Sequence, residues 1–390
     1  MSKEVLEILE ERTQKLNRVL GSINGSEKTP TIIAFGGIHG NEYAGIAAIK
    51  RVFERIENES IPFQGNFYGV TGNVQALTEK VRFVNKDLNR VWNNETLLEN
   101  KSNPQDIEDF EQIEVYNTIK DILQSNEGPF YFLDIHTTSC HTDPFITISD
   151  SINNREFSSN FKVPIVLGIE EFLEGPLLTY INEFGHVALG FEAGQHDDPV
   201  SIDNAEAFLW SALLAANCVD KNAFDGTENL QGSFTCKRKM KCFYEIKYKY
   251  TIKEDEEFSI IGYYENFQRI RKNEKIAFSN KKVVRANQSG KIFMPLYQKK
   301  GDDGFFIVSR ISSFWLLLSK FVRSFKMHAL LQIFPGVRAS KDVDYALVVN
   351  PRTARFLATK IFHLFGYRKK IFREDKWYFI RRDRKISRFI

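Results

Sequence analysis

The chain has little of what would place it in a specialised structural class. Its 11 prolines and 23 glycines in 390 residues are ordinary numbers, which excludes collagen-like and low-complexity architectures. No internal repeat occurs at a solenoid period. Long apolar runs are missing: near the C-terminus the longest is Phe314 to Leu318, far short of a membrane span. The start is charged throughout and lacks the apolar centre of an export signal. It reads instead as an amphipathic helix, with Val5, Leu6, Ile8, Leu9, Leu16 and Leu20 as its apolar positions. There are only four cysteines (Cys140, Cys218, Cys236 and Cys242), and the last two are spaced too widely for a C-x-x-C redox or zinc pair. Free thiols in a reducing cytoplasm are the expectation.

What is present points to a large globular chain. A hydrophobic content of 43% with 34 Phe excludes a mostly disordered polymer, and the length allows more than one domain. The net charge of +3 hides a split. Residues 310–390 carry 19 basic and 5 acidic residues, a net +14. Residues 1–309 carry 34 basic and 45 acidic, a net −11.

The patterning changes twice along the chain. Up to about residue 225, β-branched and aromatic runs alternate with helical periodicity. Strands are expected at 31–35, 62–72, 129–137, 145–149, 164–169 and 187–193, and helices at 42–56, 105–124 and 201–218. That order predicts a layered α/β domain with a mainly parallel or mixed sheet. From Phe234 to Val308 short β-rich runs alternate with turns, as in a small all-β domain. From Arg310 onward two amphipathic basic helices are expected, over 314–334 and 351–367, before an aromatic-basic terminal segment. The expected division is 1–225, 226–309 and 310–390.

The residues that carry chemistry sit at strand ends. In GGIHGNEYAG (36–45), His39 and Glu42 lie in a glycine-rich turn between a strand and a helix, an H-x-x-E spacing that can aim an imidazole and a carboxylate at one cation. His136 ends the FYFLD strand, at the rim where open α/β sheets place their sites. With it the set becomes His₂Glu, which matches catalytic zinc sites that keep a position for water. Glu192 ends another apolar strand, VALGFEAG, where burial would raise its pKa and suit it to act as a general base. In RFVNKDLNRVWN (82–93), Arg82, Asn89 and Arg90 supply two guanidinium forks and an amide for a carboxylate or an oxyanion. Asp134 shares a strand face with His136 and could orient a site arginine or bond to the backbone. The bland alternatives are a capping role for His136 and a salt-bridge or cap role for Glu192. Of the other histidines, His141 and His196 lie near these motifs in sequence, whereas His186, His328 and His363 read as structural.

In this order, GGIHGNE, DLNR, DIHT and the strand ending in FEAG resemble the succinylglutamate desuccinylase/aspartoacylase family, a branch of the zinc-carboxypeptidase-like hydrolases, over roughly residues 30–308. The resemblance implies a zinc-carboxypeptidase-like mixed sheet flanked by helices, then a small β domain; the basic helical extension lies outside it. It implies one Zn²⁺ per chain on His39, Glu42 and His136, with Glu192 as general base. Arg82, Asn89 and Arg90 match the family's substrate-binding residues, Arg82 or the metal holding the oxyanion. Tyr297 is the best match for a tyrosine that the family places over the substrate. One departure is that LLTYINEFGHVALGFEAG lacks the arginine found before the glutamate strand of aspartoacylase-like members, so a second substrate carboxylate held in their manner is not implied.

The expected activity is hydrolysis of the amide bond of an N-acyl amino acid of succinyl or acetyl type. The alternatives are a metallocarboxypeptidase acting on peptides and a non-catalytic metal-binding scaffold. The expected partner is the small-molecule substrate, with a homo-oligomer also considered. For the basic extension, apolar residues packing on the body with Lys and Arg facing water or the acidic surface is favoured over docking to nucleic acid or an anionic membrane.

Overall fold

The computed structural model describes residues 16–25, 28–220, 242–298, 300–350, 359–373, 375–387 and 389. Its centre is a mixed sheet of eleven strands in the order β1-β3-β2-β4-β7-β5-β6-β8-β14-β13-β10. The strands that matter for the site are β2 (Thr31–Gly36), β3 (Asn66–Thr71), β4 (Phe130–Thr138) and β7 (Val187–Gln195), which run parallel. Next come β5 (Phe145–Ile148), antiparallel to β7, and β6 (Ile165–Leu167), parallel to β5. The strands expected from sequence are therefore present within a few residues.

Each parallel strand is buried on both faces, which is why these segments read as continuous apolar runs. Alternate residues feed two cores. Ile32, Ala34, Leu133, Ile135, Leu189 and Phe191 pack with α1 (Ala44–Asn58) and with the helix Pro199–Ala215. Ile33, Phe35, Phe132 and Ala188 pack with α2 (Ile107–Gln124) and α3 (Leu177–Glu183). By the same period-two rule Asp134, His136 and Glu192 emerge on the α2/α3 face, further along the strands whose Phe132 and Ala188 line that core.

The expected amphipathic helix at the start lies outside the described residues up to position 15. Its described end is not helical: Val19–Asn24 form β1, antiparallel to β3, and Leu16 is buried in the core. The edge of β3 offers a row of backbone donors and acceptors, and pairing satisfies them where helix propensity could not.

The change of pattern near 225 does not begin a separate sheet. Strand β8 (Phe243–Thr251) pairs parallel with β6, and β14 (Asp303–Arg310), β13 (Gly290–Phe293) and β10 (Arg269–Ile270) continue the same sheet. A three-stranded sheet of β9 (Phe258–Ile260), β11 (Lys275–Ser279) and β12 (Lys282–Arg285) completes the β-rich part.

The mainly helical character expected beyond 310 is corrected. The stretch starts with α4 (Ser313–Ser324, following the helix Pro199–Ala215 left unlabelled), but a four-stranded antiparallel sheet follows: β15 (Val337–Ala339), β16 (Ala346–Val349), β18 (Lys376–Arg381) and β17 (Tyr367–Arg373). Of the second expected helix, 351–358 lie outside the described residues and only Thr359–Leu364 is helical. Tyr378, Phe379 and Ile380 are all buried, and bulky aromatic and β-branched residues favour the pleated strand.

Arginines from this extension grip the body. Asp150 is fully buried, with Arg155 Nε at 2.5 Å, Arg368 Nε at 2.6 Å and Arg323 Nη2 at 3.2 Å. Burial opposes its charge, but the three guanidiniums outweigh that and hold its carboxyl well below the usual range. Asp150→Asn leaves them without their counter-charge and is expected to cost about 3–5 kcal/mol, read as a lower urea midpoint. A loss of under about 1 kcal/mol, as for an exposed pair, would refute this anchoring role. Because the carboxyl is depressed in the folded state, its contribution is present above the ordinary aspartate pKa and is lost as pH falls below it.

Candidate metal centre and cleft

The turn after β2 is built by close backbone approach. Gly37 has φ +68°, a left-handed conformation that suits glycine. A Cβ on Gly36 would lie 2.7 Å from the backbone of Gly45, so only paired glycines let α1 start directly against the end of β2. The intervening residues then present His39 and Glu42 at the C-terminal rim of the sheet. His136 arrives at the same rim on β4 and Glu192 on β7, where the two are register partners.

His39, Glu42 and His136 meet. One ligand atom from each lies within 4.8 Å of the others, and all three side chains are buried. His39 Nδ1 and His136 Nδ1 each sit 2.9 Å from a different oxygen of Glu42. The far nitrogens are held by carboxylates: His39 Nε2 is 3.1 Å from Asp87 and His136 Nε2 is 2.7 Å from Asp134. Imidazoles that ligate metals show this arrangement, one nitrogen facing inward and the other steadied by a carboxylate. The group could hold a metal ion. Asp134 thus orients His136 rather than an arginine.

The charges are strongly coupled. Burial opposes the charge on Glu42, yet His39 and His136 hold its carboxyl well below the ordinary value. Burial likewise opposes a proton on His136, but Asp134 and Glu42 raise its pKa well above the usual histidine value. Glu192 goes the other way: burial, reinforced by Glu42 and Asp134, pushes it up to about 8. Its Oε2 makes no hydrogen bond among the described residues. A buried carboxyl with one unpartnered oxygen, beside a group that could hold a cation, suits proton transfer.

A cleft of about 440 Å³ opens over this group. Arg82 is held by Asp87 (Nη2–Oδ2 3.0 Å), and its Nη1 stands 3.6 Å from Glu42. Asn89 places Nδ2 3.5 Å from His136 Nε2 and accepts the backbone N–H of Leu177. Arg90 reaches the cleft but is paired with Asp303 of β14 at 2.9 Å. The inner wall includes Ala188, Gly190, Leu178 and Ile148.

Tyr297 is not brought to the cleft. Its hydroxyl accepts the backbone N–H of Tyr264 at 2.7 Å, and its ring stacks on Tyr263. Neighbouring Gln298 lines the cleft and accepts a hydrogen bond from Asn41. The segment after β13 lines the cleft with Met294, Pro295, Leu296 and Gln298, while the contacts with Tyr263 and Tyr264 hold the Tyr297 side chain away from it. His196 lines the cleft and bonds Thr137, whereas His141 is not among the lining residues. Two functional positions escaped the sequence reading. Asp87 lies inside DLNR, where its place two residues before Asn89 was the available signal. Asp303, 213 residues from Arg90 and in no local motif, carried none.

The comparisons with known proteins agree with this geometry. Residues 28–211 match the sequence model of the succinylglutamate desuccinylase/aspartoacylase catalytic domain. The match spans just under half of the chain and contains the GGIHGNE, DLNR, DIHT and FEAG motifs. An aspartoacylase from Xenopus tropicalis is 29% identical over 120 residues, 31% of this chain and 38% of that protein, so the match spans well under half of the relative. Among solved structures, a succinylglutamate desuccinylase from Vibrio parahaemolyticus superposes with TM-score 0.56 and 16% identity, covering 78% of this chain and 95% of the other. One from Chromobacterium violaceum gives TM-score 0.55 and 14% identity over 79% and 97%. At such identities these two likenesses concern the fold.

Proposed function

We propose that the protein is a zinc-dependent hydrolase that cleaves the amide bond of an N-acyl amino acid. The observation that carries this reading is the buried His39–Glu42–His136 group, its two imidazoles steadied by Asp87 and Asp134, with buried Glu192 on the adjacent strand. The family match over 28–211, and the substrates named by its relatives, support the same chemistry.

His39, Glu42 and His136 would hold the ion, a donor set that suits zinc. When bound, zinc supplies Lewis acidity that polarises the acyl carbonyl and acidifies water. Glu192 takes the proton of the attacking water and returns it to the departing amine. Arg82 faces the negative charge that develops on the carbonyl oxygen, and its pairing with Asp87 keeps it in place beforehand. Asn89 and Arg90 anchor a substrate carboxylate, Arg90 exchanging part of its pairing with Asp303. The Leu178, Ala188 and Ile148 wall leaves room for an uncharged group at the other end.

The test is metal analysis of the purified protein with a panel of N-acetyl and N-succinyl amino acids set against short peptides. One zinc per chain and release of free amino acid from N-acyl substrates are expected. Faster cleavage of peptides would convert the reading to a carboxypeptidase. Zinc without turnover of any amide would leave a scaffold.

A further inference from the structure

Helix α4 (Ser313–Ser324) leaves an apolar stripe uncovered. Phe314, Leu317 and Phe321 recur at spacings that stack them on one helix face, and Phe325 follows in line. An amphipathic helix of a globular protein buries such a stripe. Here the stripe faces out: Phe314 is 63% exposed, Leu317 69%, Phe321 54% and Phe325 67%. The buried positions are instead Ser319 and Val322. The inward side is mixed: Leu316 packs on the main core, Arg323 donates to buried Asp150 and to the carbonyls of His363 and Leu364, and Ser319 bonds Leu364. The arrangement favoured from sequence holds for the basic residues, Arg323 meeting an acidic group of the body and Lys320 facing out, but not for this apolar stripe, which is not packed on the body.

The apolar surface continues past the helix. Trp315 packs edge-on against Phe314, and Ile333 and Phe334 of the following turn are 76% and 40% exposed. Contiguous exposed apolar surface of this kind marks an interaction site. Exposed basic residues accompany it: Lys320, Lys326, Arg338 and Lys341. Lys320 pairs with exposed Glu156, an interaction of small worth that a stronger anion can displace.

We propose that this face docks on an anionic membrane surface. Phe314, Leu317, Phe321 and Phe325 would enter the boundary between headgroups and acyl chains while the lysines and arginines meet lipid phosphates. Charge complementarity selects this occupant over a second copy of the chain. A symmetric pair places the same patch on both sides, so two basic extensions, each +14 over residues 310–390, would confront one another. No helix among the described residues is long and apolar enough to cross a membrane, so the contact is superficial. Aromatic side chains with basic neighbours suit that depth.

Vesicle sedimentation of the full-length protein tests this. Pelleting is expected with vesicles of phosphatidylcholine plus phosphatidylglycerol, and far less with phosphatidylcholine alone. Phe321→Glu with Phe325→Glu is expected to weaken partitioning by at least ~10-fold, because it puts charge where apolar surface was buried. Brominated lipids should quench Trp315, with Trp315→Phe as the blank; this readout decides the matter in the wild type even if the double variant fails to fold. The proposal is overturned if the wild type stays in the supernatant with anionic vesicles, if brominated lipids leave Trp315 unquenched, or if the double variant pellets as well as wild type. A dimer that the double substitution dissociates, without vesicle binding, would assign the face to a second copy instead.

Discussion

Glu192→Gln is expected to lower kcat by ~10²–10⁴-fold, the usual contribution of a positioned general acid–base group. The glutamine is nearly isosteric but cannot take the proton from water or return it to the amine. Metal content should not change, because Glu192 is not one of the three residues that converge as ligands. This pairing of outcomes separates loss of proton transfer from loss of the centre. Wild-type turnover by the variant would sink the assigned role.

The same substitution has a second expected signature in metal-free protein. The carboxyl of Glu192 is raised from 4.5 to about 8 in the folded chain. Between those values the folded state keeps a proton that the unfolded state has released, so stability falls as pH rises through this window. The contribution is complete below about 4.5 and gone above about 8. Glu192→Gln removes that slope. Denaturant midpoints of the two proteins without metal should therefore converge at low pH and separate, in favour of the variant, at high pH. Parallel curves would mean that Glu192 is not held neutral by its surroundings.

The carboxylates behind the histidines are expected to matter next. Asp134→Asn and Asp87→Asn should each weaken metal affinity by ~10–100-fold, measured by competition with a chromophoric chelator at slightly alkaline pH. Each substitution removes the negative partner that fixes one imidazole's orientation and raises its basicity. Burial disfavours a proton on His136, but Asp134 and Glu42 outweigh it, so metal uptake must release that proton and affinity should fall as pH is lowered. Unchanged affinity in both variants would show that these contacts are incidental to the ligands.

Much of the site was legible because its residues sit at strand ends with a local signature. His39 and Glu42 share one glycine-rich turn, His136 follows a buried apolar run, and Glu192 follows another. Strand ends are where a parallel sheet delivers side chains to one rim, so order along the chain was enough to gather them. Asp303 could not be found this way. It pairs with Arg90 only because β14 joins the catalytic sheet through β8 and β6, a long-range pairing with no local trace. Tyr297 lies elsewhere because its hydroxyl and ring are taken up by Tyr264 and Tyr263, contacts with no trace in a local motif.

Sequence by itself determined the α/β pattern, the positions of the parallel strands and the membership of the group that could hold a metal, since each depends on local periodicity or on a motif at a strand end. Tertiary structure alone decided the rest. It paired β1 with an open sheet edge, extended the catalytic sheet through the β-rich segment, and folded the basic extension partly into a sheet. It also set the orientation of α4, whose Arg323 meets buried Asp150 and whose Leu316 packs on the core while the Phe314, Leu317 and Phe321 stripe stays exposed. Periodicity states which residues share a face, and the charges on the surface it meets decide which face is buried.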